Sequence, residues 1–527
     1  MTRLRWLTIT VFALLVSACA DHDAGLSVLK RGLGTEPESL DPQMARSVQA
    51  ADVLRDTGEG LVGYSADGRV VAAAAESWEI SEDALEYTFT IRENARWSDG
   101  VPLTAEHFVH GMRRLVNPDI AAFYSQSVAS IDNAACIIVR ECDVDELGVE
   151  ALDDKTVLIR LERPVPYLLS LLTHPSTFPV RADLEGQDRV TTPTVSNGAY
   201  AMARHDPGSV IRLIRNEYYW NNAATAIDVV DYYIVTEEAL ELNRYRAGDL
   251  HITSNVPPAT FQSVRERFPD ELKVASYLGV YYYGFNMTQP PFKDNPKLRQ
   301  ALSMAIDREV LVEKVTGRGE APAYSFVPPG VNNYIPPKLS YADLSQEERN
   351  DIARSLYAEA GYGPDNPLTI ELRYNTSDTQ RRMALAIQAM WEEVLGVETV
   401  IVNEEFQVLL ANIRKREETE VFRASWIGDY NDAQTFLDLM LTNSASNLPG
   451  YGNPAYDELM VKAAEQTDLD RRRLFLEEAE RVMLADHPLI PIYFYVSKHL
   501  IKPEVKGWQD NILDYHYSQH LSLGEPD

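Results

Sequence analysis

A mixed α/β protein of more than one lobe is the fold class this sequence predicts, and three observations carry it. Strand-like and helix-like stretches are interleaved along the chain rather than segregated. The chain has 527 residues, too many for one ordinary hydrophobic core, so two or three lobes are expected. Apolar residues at 45% and aromatics at 9% describe a packed protein, not a disordered acidic one. No repeat, low-complexity tract or long linker interrupts the pattern.

The first segment lies outside the fold. Arg3 and Arg5 precede an apolar run from Trp6 to Val16, too short to span a bilayer comfortably, which ends in Leu15-Val16-Ser17-Ala18-Cys19. Charge, apolar run and small residues read as an export signal over residues 1–18. A cysteine directly after the small residues resembles a bacterial lipoprotein cleavage box, which implies a lipidated Cys19 and a membrane tether. The plainer reading is an ordinary signal cut nearby, with Cys19 incidental. No later stretch is long and apolar enough to span, so the rest is expected to be soluble.

Next come the strands. YTFTIRE (Tyr87 to Glu93) alternates Tyr87, Phe89 and Ile91 inward, and KTVLIRLE does the same with Val157, Ile159 and Leu161. Between them, Cys136 and Cys142 flank the short run IIVRE, and in an exported chain a local disulfide is expected over two free thiols. No nearby His completes a metal ligand set. YLGVYYYGFNM is strand-like and holds Tyr281, Tyr282 and Tyr283. Alternation sets Tyr282 opposite its neighbours, so some of these tyrosines are expected to face away from the lobe core. Either they lie on a lobe surface or they line a binding cleft, where Tyr offers rigid area and a hydroxyl.

Three helices follow. Lys297 to Val315 reads as one helix, with Asn295 as cap, Pro296 in the first turn and Leu298, Leu302, Ala305 and Ile306 on one face. Ser345-Gln346-Glu347-Glu348 is a capping-box pattern, and Gly361 ends the helix it begins. From about Thr379 to Leu395, Met383, Ile387, Met390, Trp391 and Val394 recur at helical spacing, a core stripe rather than a ligand surface.

Motifs for catalysis are missing. The sequence has no G-x-S-x-G elbow, no H-E-x-x-H, no phosphate loop and no dinucleotide fingerprint. His107 and His110 stand three apart near a helix start and read as solvated or partly buried helix residues. Asp153-Asp154 and Glu404-Glu405 are adjacent acids beside turns, which point apart and make poor acid/base pairs. A formal net charge of -30, two units more negative once Arg3 and Arg5 leave, repels phosphate polyanions and argues against nucleic-acid binding. No enzyme, cofactor or metal site is expected.

One acid stands out. In SWIGDY, Trp426, Ile427 and Gly428 lead toward a dry interior, and Asp429 follows. On the residues alone it is a structural salt-bridge or turn-capping acid, or it awaits a cationic ligand.

Five ordered segments together carry a resemblance. ESWEISEDALEYTFTIRENARWSDGVPLTAEHFVHGMRRL (Glu76 to Leu115), SNGAY at Ser196, RNEYYW at Arg215, PPFKDNPKLRQALSMAIDRE at Pro290, and SWIGDYNDAQTFLDLMLTNSASNLPGYGNPAYDELM at Ser425 resemble bacterial peptide-binding proteins of ABC transporters, above all the periplasmic oligopeptide-binding ones. The likeness spans nearly the whole mature chain. It implies a periplasmic-binding-protein-like fold, with two large lobes joined by a hinge and a small inserted domain. Residues 25–59, 179–278 and 496–527 would form the first lobe, 60–178 the insert and 279–495 the third lobe. A ligand would be enclosed by hinge closure.

The resemblance also implies residue roles. Asp429 would bind the free α-ammonium of a peptide, a pairing that offsets the cost of burying a carboxylate. Ser425 and Ile427 would pair with the ligand backbone, with Val48 and its neighbours as the partner segment of the first lobe. Tyr124, Tyr277, Tyr282 and Trp426 would line the cleft. Arg414 and Arg423 either meet the peptide carboxylate or serve as ordinary ion pairs. Departures are Arg46 where relatives carry an acid, Gln380 in place of a histidine, and Gly279 with Ile427 where a relative has a disulfide.

The reading is thus a monomeric, lipid-anchored periplasmic binding protein that hands oligopeptides to a membrane permease, without chemistry of its own. Ala20 does not resemble the acid associated with inner-membrane retention, which points to outer-membrane delivery, though either membrane stays open. Alternatives are another solute (murein peptide, opine, metal chelate or oligosaccharide) or, from a different class, an exported hydrolase or chaperone.

Overall fold

The structure, a computed structural model, describes residues 25–186, 194–417 and 419–524. The expected signal peptide and Cys19 lie outside the described residues.

Three sheets organise the chain. The first orders the strands Val28–Gly34, Val229–Ile234, Val210–Arg215 and Tyr200–Asp206, with the first pair parallel and the others antiparallel. The second is antiparallel and orders Ala75–Ile80, Glu86–Ile91, Thr156–Arg160 and Val149–Asp153. It contains both strands expected from alternation near residues 87 and 157. The third has six strands, ordered Ala321–Pro322, Leu489–Leu500, Leu272–Phe285, Val421–Ile427, Thr369–Asn375 and Glu398–Glu404. Separate apolar cores lie beside each sheet, around Leu29 and Tyr232, around Phe89 and Phe108, and around Tyr281 and Trp391.

Two long strands link the first and third sheets. Leu272–Phe285 and Leu489–Leu500 pair antiparallel from Leu272↔Leu500 to Gly284↔Leu489, with register shifts between Ser276 and Val280 and between Tyr281 and Tyr282. Beyond the pair, Ile501 bridges Ile252, which bridges Arg31 of the first sheet. The boundaries expected at 278/279 and 495/496 fall inside these two crossing strands.

Local chemistry explains the helices. The capping box at Ser345 and Glu348 starts the helix Gln346–Glu359. Asp378–Leu395 buries Met383, Ile387 and Trp391 as its apolar stripe predicts, and the Trp391 indole donates to the Leu302 carbonyl at 2.8 Å. His107 lies in the first turn of Ala105–Val116, where its ring accepts the Thr104 backbone N–H at 3.1 Å. Among the described residues, no helix is long and apolar enough to cross a membrane. A disulfide joins Cys136 and Cys142 in the region of the second sheet.

Two expectations are corrected. The single helix expected over 297–315 is broken. Pro296–Met304 ends, Asp307 accepts the Val310 N–H at 2.9 Å to cap a new turn, and a wide turn Leu311–Thr316 follows. The buried Arg308 guanidinium holds the break by donating to the carbonyls of Ala323, Pro491 and Ser303. The tyrosine run does alternate, but none of its members is left on a surface. Tyr281, Tyr282 and Tyr283 are all buried, because their strand is central in the six-stranded sheet and both faces are covered. Tyr281 stacks on Tyr493 at 4.7 Å on one face, and Tyr282 meets Phe326 edge-on at 5.3 Å on the other.

Candidate functional site: a cavity beside Asp429

The strand Val421–Ile427 explains where Asp429 points. It pairs with Leu272–Phe285 up to Gly279↔Ile427, but its ladder with Thr369–Asn375 is confined to Val421 and Phe422. From Ala424 to Ile427 its outer edge meets no strand among the described residues. Such an edge is a ready template for another extended chain. Gly279 leaves room for Ile427 opposite, since a Cβ there would lie 2.4 Å from the Ile427 Cδ1 and displace that side-chain tip.

The chain then turns away. Gly428 donates to the Leu278 carbonyl at 2.8 Å, and a Cβ at 428 would fall 2.7 Å from the Leu278 Cδ2. Thr435 pins the turn from both sides: its Oγ1 accepts the Trp426 indole N–H at 3.2 Å and the Asp429 backbone N–H at 3.3 Å. Tyr430 stacks on Tyr167 of the second-sheet region at 4.5 Å.

Two acids in this turn meet opposite fates. Asp432 is clasped by Arg472 through two contacts of 2.7 and 2.8 Å. The Asp429 carboxylate pairs with no Lys, Arg or His among the described residues. It is exposed at the mouth of a walled concavity, and partial loss of hydration against those walls pushes its carboxyl above the ordinary range.

The concavity is a cavity of about 210 Å³ built from five stretches. Val48, Ala51 and Arg55 come from the helix Val48–Thr57 and Arg46 and Ser47 from the residues just before it, and Tyr277 and Leu278 from the crossing strand. Tyr124, Ser127, Leu171 and His174 come from the second-sheet region, Ile427 to Asp429 from the turn, and Leu513 to Tyr515 from the C-terminal segment. Its other charges are largely spoken for. Arg55 pairs with Asp52 at 3.1 Å and lies 3.5 Å from the Tyr515 ring centre. Asp514 meets His499 at 2.9 Å. His174 stays neutral, pushed down to about 3 by burial and then by Arg55. Tyr124 packs on His174 at 4.3 Å and lines the same cavity as Asp429, and its phenol is pushed up by burial and then by the Asp429 charge.

A second cavity of about 180 Å³ surrounds Glu59, but that acid is already held by the Tyr219 hydroxyl at 2.5 Å and the Trp220 indole at 2.8 Å. Of the two cavities, the one at Asp429 holds a carboxylate still open to a partner.

The structure therefore brings Val48, Tyr124, Tyr277, Ile427 and Asp429 to one cavity. Ser425 and Trp426 lie just behind it on the strand. Arg423 is further along: its guanidinium lies 5.0 Å from the Tyr281 ring centre and donates to the Ser425 Oγ at 3.1 Å. Gln380 meets the same Tyr281 through its hydroxyl. Arg414 is exposed on the last turn of the helix Phe406–Lys415, and Tyr282 is a core residue; neither lines the cavity. Arg55, His174, Asp514 and Tyr515 carry no signal in the sequence, because only tertiary folding brings the second-sheet region and the C-terminal segment to the turn.

Comparison with known proteins identifies the family. Residues 69–447 match the family described as bacterial extracellular solute-binding proteins, family 5. The chain is 38% identical over 524 residues to the periplasmic oligopeptide-binding protein OppA of Escherichia coli, covering 96% of this chain and 95% of the relative. It superposes on the unliganded open form of the periplasmic murein tripeptide binding protein MppA with a TM-score of 0.89 at 35% identity, over 95% of this chain and 98% of that one. On Haemophilus influenzae OppA in complex with the peptide RPPGFSPFR the TM-score is 0.72, also at 35% identity, over 95% and 99%.

Proposed function

The chain belongs to the bacterial extracellular solute-binding proteins of family 5, and from that premise we propose that it captures oligopeptides by their backbone and free amino terminus and delivers them to an ABC-transporter permease. The observation that carries the proposal is the Asp429 carboxylate, unpaired beside a cavity while Asp432, three residues on, is clasped by arginine.

A peptide ammonium is the partner such a site suits. It supplies a positive charge and three N–H donors, and closing the cleft removes the water that would otherwise compete. The open edge of Ala424–Ile427 suits the ligand backbone, whose N–H and C=O groups can extend the sheet without reference to side-chain identity. Val48, Tyr124 and Tyr277 would form the opposite wall, with Trp426 holding the turn through Thr435. Arg423 and Arg414, farther along, are the candidates for a carboxylate end.

The better superposition on an open form than on a peptide complex, at equal identity, supports reading the present arrangement as open. Closure would turn about the crossing strands Leu272–Phe285 and Leu489–Leu500, between lobes formed by residues 25–59, 179–278 and 496–527 and by 279–495, with 60–178 as the insert. The protein would act by binding alone, as a periplasmic monomer held to a membrane through a lipid on Cys19.

Calorimetry with short peptides, each in free and N-acetylated form, tests the proposal. Free peptides should bind and acetylated ones should lose most of their affinity. Equal binding of both forms would remove the role of Asp429.

A further inference from the structure

His499 and His516 converge on Asp514 at the end of a crossing strand. The His499 Nδ1 lies 2.8 Å from the Thr253 carbonyl oxygen, which can only accept, so Nδ1 carries a proton. The Nε2 then faces the Asp514 carboxylate, 2.9 Å from Oδ1 and 3.1 Å from Oδ2. Either a proton on Nε2 or a bound cation can bridge these atoms. The His516 Nε2 faces the same Oδ1 at 3.1 Å. A proton on each ring would make these contacts hydrogen bonds, whereas a single cation among the three side chains would make them ligand contacts.

We propose that His499, Asp514 and His516 form a binding site for a divalent transition-metal ion, with zinc the best match to two imidazoles and a carboxylate. The three ligand atoms lie within 4.8 Å of one another. Ligands bonded at about 2.0–2.1 Å stand about 2.9–3.4 Å apart for angles from 90° to tetrahedral, and both N···O contacts fall in that range.

The surroundings favour the site. The Thr253 carbonyl fixes the His499 tautomer with Nε2 inward, as outer partners of metal-bound histidines do. Trp508 stacks on His516 at 3.5 Å and holds that ring. A cavity of about 400 Å³ reaches His499 and Asp514, with Glu238, Glu241 and Lys498 in its wall, so a hydrated cation has a path to the site and a water can complete the ligand set. The neighbouring Arg31 donates to the His516 carbonyl at 2.8 Å and the Ser518 hydroxyl at 2.9 Å, which hold its guanidinium in place but leave its charge as a cost that the bound ion must overcome. Bound there, the ion would tie Leu489–Leu500 to the C-terminal segment.

The test is zinc titration of the full mature chain, stripped with a chelator, in competition with a chromophoric chelator. One ion per chain is expected, and His516→Asn and Asp514→Asn should each lower affinity by at least about 10–100-fold. Anomalous scattering from zinc-soaked crystals of the unmodified protein gives a second readout, with a peak expected among the three side chains. Absence of binding, unchanged affinity in both variants, or a peak elsewhere would each overturn the site and leave a proton-shared ion pair.

Discussion

Replacing Asp429 with Asn removes one charge and almost no volume, so its effect isolates the proposed anchor. In a closed cleft, ammonium and carboxylate about 3 Å apart attract by about 5 kcal/mol at an effective dielectric of 20, before desolvation is subtracted. Truncating one member of such a pair costs about 2–5 kcal/mol in measured interfaces. Because an amide oxygen still accepts a hydrogen bond, we expect the lower part, about 2–4 kcal/mol, or roughly 30- to 900-fold in affinity. The structure also predicts what should not change. Asp429 pairs with no cation of the described protein, and burial pushes its carboxyl up, so ionisation is a cost to the ligand-free fold. Asp429→Asn should therefore leave the melting temperature unchanged or slightly raised. The assay is a four-way calorimetric cycle with wild type and variant, free and acetylated peptide. Acetylation should weaken binding to the wild type and cost the Asn variant almost nothing. A coupling below about 0.5 kcal/mol, the scatter of independent sites, would refute the reasoning.

Four further outcomes are expected. The raised Asp429 carboxyl means that acidification protonates it before ordinary aspartates, so affinity for free peptides should fall as pH drops through that range, while His174, already neutral, adds nothing. Glu480 is fully buried, accepts the Phe326 and Val327 N–H groups at 2.6 and 2.9 Å, and is pushed up by burial to about 7 from 4.5. Between those values the native chain keeps a proton that the unfolded chain has released, so stability falls as pH rises; Glu480→Gln should match wild type at pH 4 and exceed it by about 3 kcal/mol at pH 8 in urea unfolding. Gly279→Ala should press the Ile427 tip toward the cavity and cost about 1–3 kcal/mol, partly restored by Ile427→Val in the same chain. Cys19→Ser should move the protein from the membrane fraction to the soluble periplasmic fraction, and mass spectrometry of the wild-type amino terminus should find lipid.

How much of this was legible in the sequence depended on the range of the cause. Local causes read well: the Ser345/Glu348 capping box and the Met383–Trp391 stripe act within a few residues, and the helices they predict are present. The break at Ala305–Asp307 was hidden because its cause is distant. Asp307 offers a local cap, but Arg308 is held by the distant carbonyls of Ala323 and Pro491, which only tertiary folding supplies. The tyrosine run misled for a related reason. Alternation separates the two faces of a strand but does not say that both faces are covered, which depends on the strand lying centrally in its sheet. At the site, Asp429 stood out as an acid after an apolar run, whereas Arg55, His174 and Tyr515 carry no local signal.

The most direct test of the central claim is a crystal structure of the protein with a bound peptide. The account predicts the lobes closed about the crossing strands, the peptide backbone paired with Ala424–Ile427, and the terminal nitrogen about 2.7–2.9 Å from an Asp429 oxygen. A peptide whose amino end reaches solvent, with Asp429 turned instead to Arg46 or another protein cation, would contradict it.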